Sequence, residues 1–218
     1  MKLAVVTAVV LQFLAGCSHA SLFVKPNRDP AVNTEVTTLW ADDLRSHGRN
    51  GDWLLTRAYY ATSDLIVIGT AGEDLSHASM YDATRGMVIE AVGSGVRETE
   101  LDKFLARNHF VIVVRPSNMT AAEGDVALAR ARSKLGTPFD ASGMFGLDNP
   151  DRFYCSELVY WASETEARSG RHERIVTPGN LMKYGEVVYW SGKRDDPQVV
   201  QLAHDRRVRS QGTTTATK

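Results

Sequence analysis

The 218-residue sequence predicts an α+β domain, an antiparallel sheet packed against helices, with a cysteine at the start of one helix. Three observations predict it. Two alternating runs, residues 76–81 and 87–92, flank the turn-like Asp82-Ala83-Thr84-Arg85-Gly86 and read as a hairpin. Phe110-Val111-Ile112-Val113-Val114 is a β-branched run stopped by Pro116, as expected of a buried strand. Two apolar-periodic segments carry helix-start signals: the capping box Thr120-Ala121-Ala122-Glu123, and Phe153-Tyr154-Cys155-Ser156-Glu157-Leu158, where a loop runs into a helix. The length suits one domain with a sizeable core. A formal charge of −1 points away from nucleic acid and from a polybasic grip on a membrane.

The first twenty residues differ from the rest. Met1-Lys2 is a minimal basic start, residues 3–14 are apolar apart from Thr7 and Gln12, and Ala15-Gly16-Cys17 follows. An apolar stretch this short, ending in small residues, reads as an export signal rather than a transmembrane span. The Leu14-Ala15-Gly16-Cys17 ending resembles a bacterial lipoprotein signal. That resemblance implies removal of residues 1–16 and lipidation of Cys17. Ser18 rather than Asp follows, which in that family is compatible with an outer-membrane destination facing the periplasm. An ordinary signal peptide with a chance cysteine is the competing reading. Residues 17–33, broken by Pro26, Asn27, Pro30 and Asn33, read as a tether. Once Cys17 carries lipid, Cys155 is the remaining thiol of an exported chain. On count alone it reads equally as a reactive thiol or as a buried structural cysteine.

The folded domain is expected over residues 34–192. Residues 34–44 set Val36, Leu39, Trp40 and Leu44 on one helical stripe. Residues 51–56 read as a turn feeding a strand, and residues 63–69 as a helix capped by Thr62 or Ser63. In the hairpin, a four-residue connection from Asp82 to Arg85 sets His77 directly opposite Glu90, on one face of two strands. A one-residue change in that loop would separate them. Gly93, Ser94 and Gly95 end the hairpin, and residues 99–105 read as a short helix. The helix opened at Thr120 runs to about Leu135, with Gly136 as its stop. The cysteine helix runs to Ala167, closed by Gly170. Thr177-Pro178 opens a short helix, and residues 187–190 form a last strand. Residues 193–218 read as a polar tail, disordered from Thr213.

A cysteine nucleophile needs a base within hydrogen-bond reach and a third group to orient that base. At a helix start, unpaired N–H groups and a partial positive charge favour the thiolate of Cys155. Of the six histidines, His19 falls in the signal or tether, His47 and His109 in connectors, and His172 and His204 in charged segments. His77 alone lies on a strand with a carboxylate, Glu90, across a hairpin. A carboxylate behind an imidazole fixes its tautomer and stabilises the imidazolium. Either residue alone also reads as an ordinary strand residue; their joint placement with Cys155 singles them out. Ser156 lacks a Gly-x-Ser-x-Gly elbow. The histidines show no recurring ligand spacing, so no metal or other cofactor is expected. Asp52 and Asp140 read as turn residues, and Phe153, Tyr154 and Trp161 as packing.

Taken in order, Gly51-Asp52-Trp53-Leu54-Leu55, Ser76-His77-Ala78-Ser79-Met80-Tyr81, Val88-Ile89-Glu90-Ala91-Val92-Gly93 and Phe153-Tyr154-Cys155-Ser156-Glu157-Leu158-Val159 resemble the permuted NlpC/P60 hydrolases of the YiiX/YebB-like type. Pro138-Phe139-Asp140 and Thr177-Pro178 belong to the same ordered set, and the resemblance covers roughly residues 51–190. It implies a circularly permuted papain-like fold, in which the histidine strand precedes the cysteine helix. It implies Cys155 as nucleophile, His77 as base and Glu90 as the polar third residue, with the Cys155 N–H meeting the oxyanion. Tyr59 or Tyr60 would line the substrate site, and Glu157 would support the helix terminus. Two functions compete. One is a lipid-anchored envelope hydrolase or acyltransferase that works through a Cys155 thioester. Its substrate is a peptide-type amide, such as a cell-wall stem peptide, or a lipid-type amide or ester. The lipid option comes from the likeness of the permuted branch to lecithin–retinol acyltransferase-like proteins. The other is a non-catalytic envelope module that binds lipid or peptidoglycan. The oligomeric state is left open.

Overall fold

Six antiparallel strands form the middle layer of the molecule, in the spatial order β4-β3-β2-β1-β5-β6. The strands are β1 (Trp53–Ala58), β2 (His77–Asp82), β3 (Met87–Val92), β4 (Gly95–Glu100), β5 (Asn108–Pro116) and β6 (Gly185–Trp190). The computed structural model describes residues 22–70, 73–147 and 149–215. The expected signal segment and Cys17 lie outside the described residues.

Both faces of the sheet are covered, so β1 is buried along its whole length. Alternation divides the side chains between two cores. Trp53, Leu55, Ala78, Met80, Ile89 and Phe110 pack on one side against α4 (Ala121–Arg132) and α5 (Cys155–Ala162). Leu54, Tyr81, Val88 and Val111 pack on the other, against α1 (Pro30–His47), α3 (Leu101–Ala106) and α8 (Pro197–Thr215). Each fully buried leucine of these cores contributes about 2 kcal/mol. Further short α-helices are α2 (Ala61–Gly69), α6 (Thr165–Ser169) and α7 (Pro178–Leu181).

The Thr120 capping box forms as its residue types require. Glu123 N–H donates to Thr120 Oγ1, and Thr120 N–H donates to Glu123 Oε2 at 2.7 Å. Elsewhere the boundaries move. Helix α1 begins at Pro30, because Asp29 accepts from Ala31 N–H at 2.8 Å and proline suits the first helical position. The tether expected to reach residue 33 therefore ends earlier. Residues 95–100 are an edge strand, and the helix read over 99–105 starts only at Leu101. Charged residues on an edge strand hide its alternation. The cysteine helix stops at Ala162; Glu164 then takes a left-handed conformation (φ 51°), and α6 follows, closed by Gly170 at φ 66°. Helix α2 is capped by the backbone of Tyr60 rather than by Thr62 or Ser63.

The largest correction is the tail. Residues 197–215 form a helix on α1, so the folded unit continues well past residue 192. Asp196 accepts from Gln198 N–H at 2.8 Å, and Val199, Val200 and Ala203 pack on the second core. Arg194 is buried just ahead of it. Its guanidinium donates to the carbonyls of Asn33, Leu105 and Asn108 and to Thr37 Oγ1, and lies 4.4 Å from the Trp40 ring centroid. A charge in that position is tolerated because each of the three guanidinium nitrogens meets an acceptor.

Candidate active site

Cys155 is the first residue of α5. N–H groups in a first helical turn have no intrahelical acceptor, so they point out of the helix end with its partial positive charge. Glu157 folds back to accept from Tyr154 N–H at 3.1 Å. Tyr154 Oη accepts from Val176 N–H at 2.9 Å, and Ser156 Oγ donates to Val176 C=O at 2.7 Å. The residues flanking the cysteine thus clamp it to the strand of chain before α7. Ser156 is committed to that clamp.

The hairpin brings His77 and Glu90 together by a different register from the expected one. The connection is Ala83 to Gly86, with Gly86 at φ 64°, and Asp82 stays in the ladder opposite Met87. Its carboxylate accepts from Arg85 N–H at 2.9 Å and pairs with Arg132, which holds it inside the strand. Pairing therefore runs Met80–Ile89 and Tyr81–Val88, a register whose continuation points Glu90 at Ser79, not His77. The offset is two residues. Strand side chains repeat every two residues, so the face is kept and His77 becomes the diagonal neighbour of Glu90. A glutamate spans that diagonal: His77 Nε2 lies 2.9 Å from Glu90 Oε2.

The β2–β3 ladder ends at Met80–Ile89, short of His77. Alternation directs the Ala78 N–H towards β3, where no ladder partner meets it. Helix α5 packs against β2 and β3 here, which brings the Cys155 sulfur towards the Ala78 N–H instead. The same sulfur lies beside His77, close enough for each group to shift the other's titration. With Nε2 engaged by Glu90, Nδ1 is the ring nitrogen left for the thiol.

Electrostatics follow from these contacts. Burial alone pushes the His77 imidazolium down, but its hydrogen bonds to Cys155 and Glu90, and their charges, outweigh burial and raise it from 6.5 to about 9. Burial alone pushes the Cys155 thiol up; the hydrogen bond and charge of His77, the Ala78 N–H and Ser156 outweigh it and lower it. The two groups titrate as one pair that favours thiolate and imidazolium. Glu90 is fully buried and accepts four donors. Besides His77 these are Arg97 Nε at 3.2 Å, Thr99 Oγ1 at 2.6 Å and the Arg107 guanidinium. Burial disfavours its charge, and His77 and Arg107 more than compensate, holding the carboxyl well below the ordinary 4.5.

Arg97, Thr99 and Arg107 have no local sequence signal. Two of them sit on the strand that reads as a loop and helix, and Arg107 follows α3. The Phe104 ring lies beneath Arg107 at 5.2 Å and beside His77 at 6.2 Å. The remaining candidates lie elsewhere. Tyr59 packs edge-on to His109 at 5.9 Å and beside Arg194, where burial pushes its hydroxyl up to about 12. Tyr60 is exposed ahead of α2. No hydrogen bond or ring contact joins either tyrosine to Cys155, His77 or Glu90. His109 is not in a connector but buried on β5, 3.5 Å from Asp195. Asp52 and Asp140 hold turns: Asp52 accepts from Arg49 N–H, and Asp140 from Ser142 and Gly143 N–H. Among the described residues no group of three or more His, Cys, Asp or Glu side chains is arranged to hold a metal ion.

The antiparallel sheet, with a thiol at a helix start and the histidine strand ahead of it in the chain, defines a permuted papain-like protein of cysteine-hydrolase type. The chain belongs to the YaeF/YiiX family, C92, of permuted papain-like amidase enzymes, whose model matches residues 47–178. Among solved structures it is similar to the metalloprotein YiiX from Escherichia coli O157:H7. That likeness has a TM-score of 0.50 at 21% identity, covers 66% of this chain and 97% of that one, and bears on the fold. No curated protein matches the chain.

Proposed function

We propose that the chain is a cell-envelope amidase that cleaves an amide or ester bond, of peptide or lipid type, through a Cys155 thioester. The observation that carries this reading is the contact chain from the Cys155 sulfur to His77 to Glu90, at the first turn of a helix. The thiolate attacks the carbonyl carbon, and the oxyanion forms beside the Cys155 N–H. The His77 imidazolium gives its proton to the leaving amine or alcohol as the bond to it breaks, which leaves a thioester. Neutral His77 then takes a proton from water, whose oxygen attacks the thioester carbonyl. Collapse releases the acid and restores the thiolate. Glu90 stays ionised throughout and keeps Nε2–H directed at itself.

The Leu14-Ala15-Gly16-Cys17 ending supports export and anchoring through Cys17 on the periplasmic face of an envelope membrane. Turnover of paired peptide-amide and fatty-acyl-amide substrates, by the wild-type chain and by Cys155→Ala, tests the proposal. Product release by the wild type alone supports it. Binding to envelope fractions that survives Cys155→Ala, with no turnover by the wild type, sinks it in favour of a binding module.

A further inference from the structure

Helix α2 turns large apolar side chains outward. Its inner side buries Ser63, Asp64 and Val67, while Leu65 and Ile68, one turn apart, are 69% and 61% exposed. A contiguous exposed apolar face of this kind marks an interaction surface. Tyr60, 53% exposed, stands at its start. The N-terminal segment extends this surface. Phe23 N–H donates to Asp64 Oδ1 at 3.0 Å, which fixes Leu22 and Phe23 beside α2 with Phe23 73% exposed. Lys25 and Arg28 follow, exposed and without an ion pair among the described residues.

We propose that this face, Leu22, Phe23, Tyr60, Leu65 and Ile68 with the two cations at its edge, docks on an anionic bilayer. The sequence places Cys17 five residues before Leu22, a span of at most about 18 Å. A lipid on Cys17, the anchor proposed above and on which this inference rests, therefore keeps the bilayer within reach of this face. Apolar side chains entering the headgroup boundary, an interfacial tyrosine and basic residues over anionic lipid are the terms of interfacial binding. Docking also orients the enzyme. Helix α2 follows β1 directly, and Thr56 near the end of β1 pairs with His77. The membrane face and the His77 end of the sheet are thus linked through the end of β1, so docking sets that end of the sheet towards the bilayer.

The test uses the full mature chain in a Cys155→Ala background, bound to phosphatidylethanolamine–phosphatidylglycerol vesicles. An environment-sensitive fluorophore is attached through Leu65→Cys, Ile68→Cys or, as control, Val126→Cys on α4. The emission at 65 and 68 should shift to the blue and be quenched by doxyl-labelled lipid, with neither effect at 126. Leu65→Glu should abolish the quenching at 68. An aqueous spectrum at 65 and 68 while the chain pellets with the vesicles overturns the docking, and so does failure to pellet. Neither readout involves the thiol, so these failures leave the amidase reading standing, and failed turnover leaves the docking standing.

Discussion

Glu90→Gln keeps the side chain's size and an acceptor for His77 but removes the charge. Raising the imidazolium from 6.5 to about 9 corresponds to about 3 kcal/mol, supplied by Cys155 and Glu90 against the cost of burial. An even split assigns about 1.5 kcal/mol to Glu90, or about tenfold in the equilibrium that forms thiolate and imidazolium. The variant also leaves Arg97 and Arg107 facing the ring without their shared counter-ion, which acts in the same direction. Iodoacetamide alkylation of Cys155 near pH 6 should therefore be about tenfold slower in Glu90→Gln than in the wild type. The difference should shrink as pH rises and the thiol ionises unaided. Near-UV circular dichroism separates this from lost packing. An alkylation–pH profile identical to the wild type, in a folded variant, would refute the argument that Glu90 supports the thiolate through His77.

Glu90 also predicts acid lability. Its folded pKa is depressed, so its contribution is complete above the ordinary 4.5 and is lost as pH falls through that range towards the folded value. Thermal melts below pH 5 should show a steeper loss for the wild type than for Glu90→Gln. Arg194→Leu removes a buried guanidinium that satisfies three carbonyls. It should cost about 3 kcal/mol, a fall of about 10 °C in melting temperature for a chain of this size. Ser156→Ala strands the Val176 carbonyl and should cost about 1–2 kcal/mol, read by urea titration, while Cys155 alkylation survives. Thr120→Ala loses the capping box and should cost about 1 kcal/mol in the same titration.

How much was legible depended on how local each signal was. Caps and turn residues act within a few positions, so Thr120, Thr177-Pro178 and the hairpin turn region could be read directly. His77 and Glu90 were reachable because strand parity survives an even register error: the loop was misplaced, yet the face came out right. An error of one residue would have put them on opposite sides of the sheet. Arg97, Thr99 and Arg107 were not reachable, since their meaning lies in a long-range convergence on Glu90. Tyr59 packs on His109 and beside Arg194, contacts that no local pattern announces. The tail helix was missed on composition, although Asp196-Pro197 carries the same cap-then-proline signal as Thr177-Pro178. Its few apolar positions, Val199, Val200 and Ala203, suffice because α1 supplies the opposing surface.

The thioester itself is the most direct test of the central claim. The mature chain is mixed with an activated acyl substrate such as a p-nitroanilide, quenched in acid during turnover, digested and weighed by mass spectrometry. The acyl group should appear on the Cys155 peptide, be released by hydroxylamine, and be absent from Cys155→Ala, which should also lack turnover. An acyl group on another residue, or turnover that persists in Cys155→Ala, would contradict a Cys155 nucleophile.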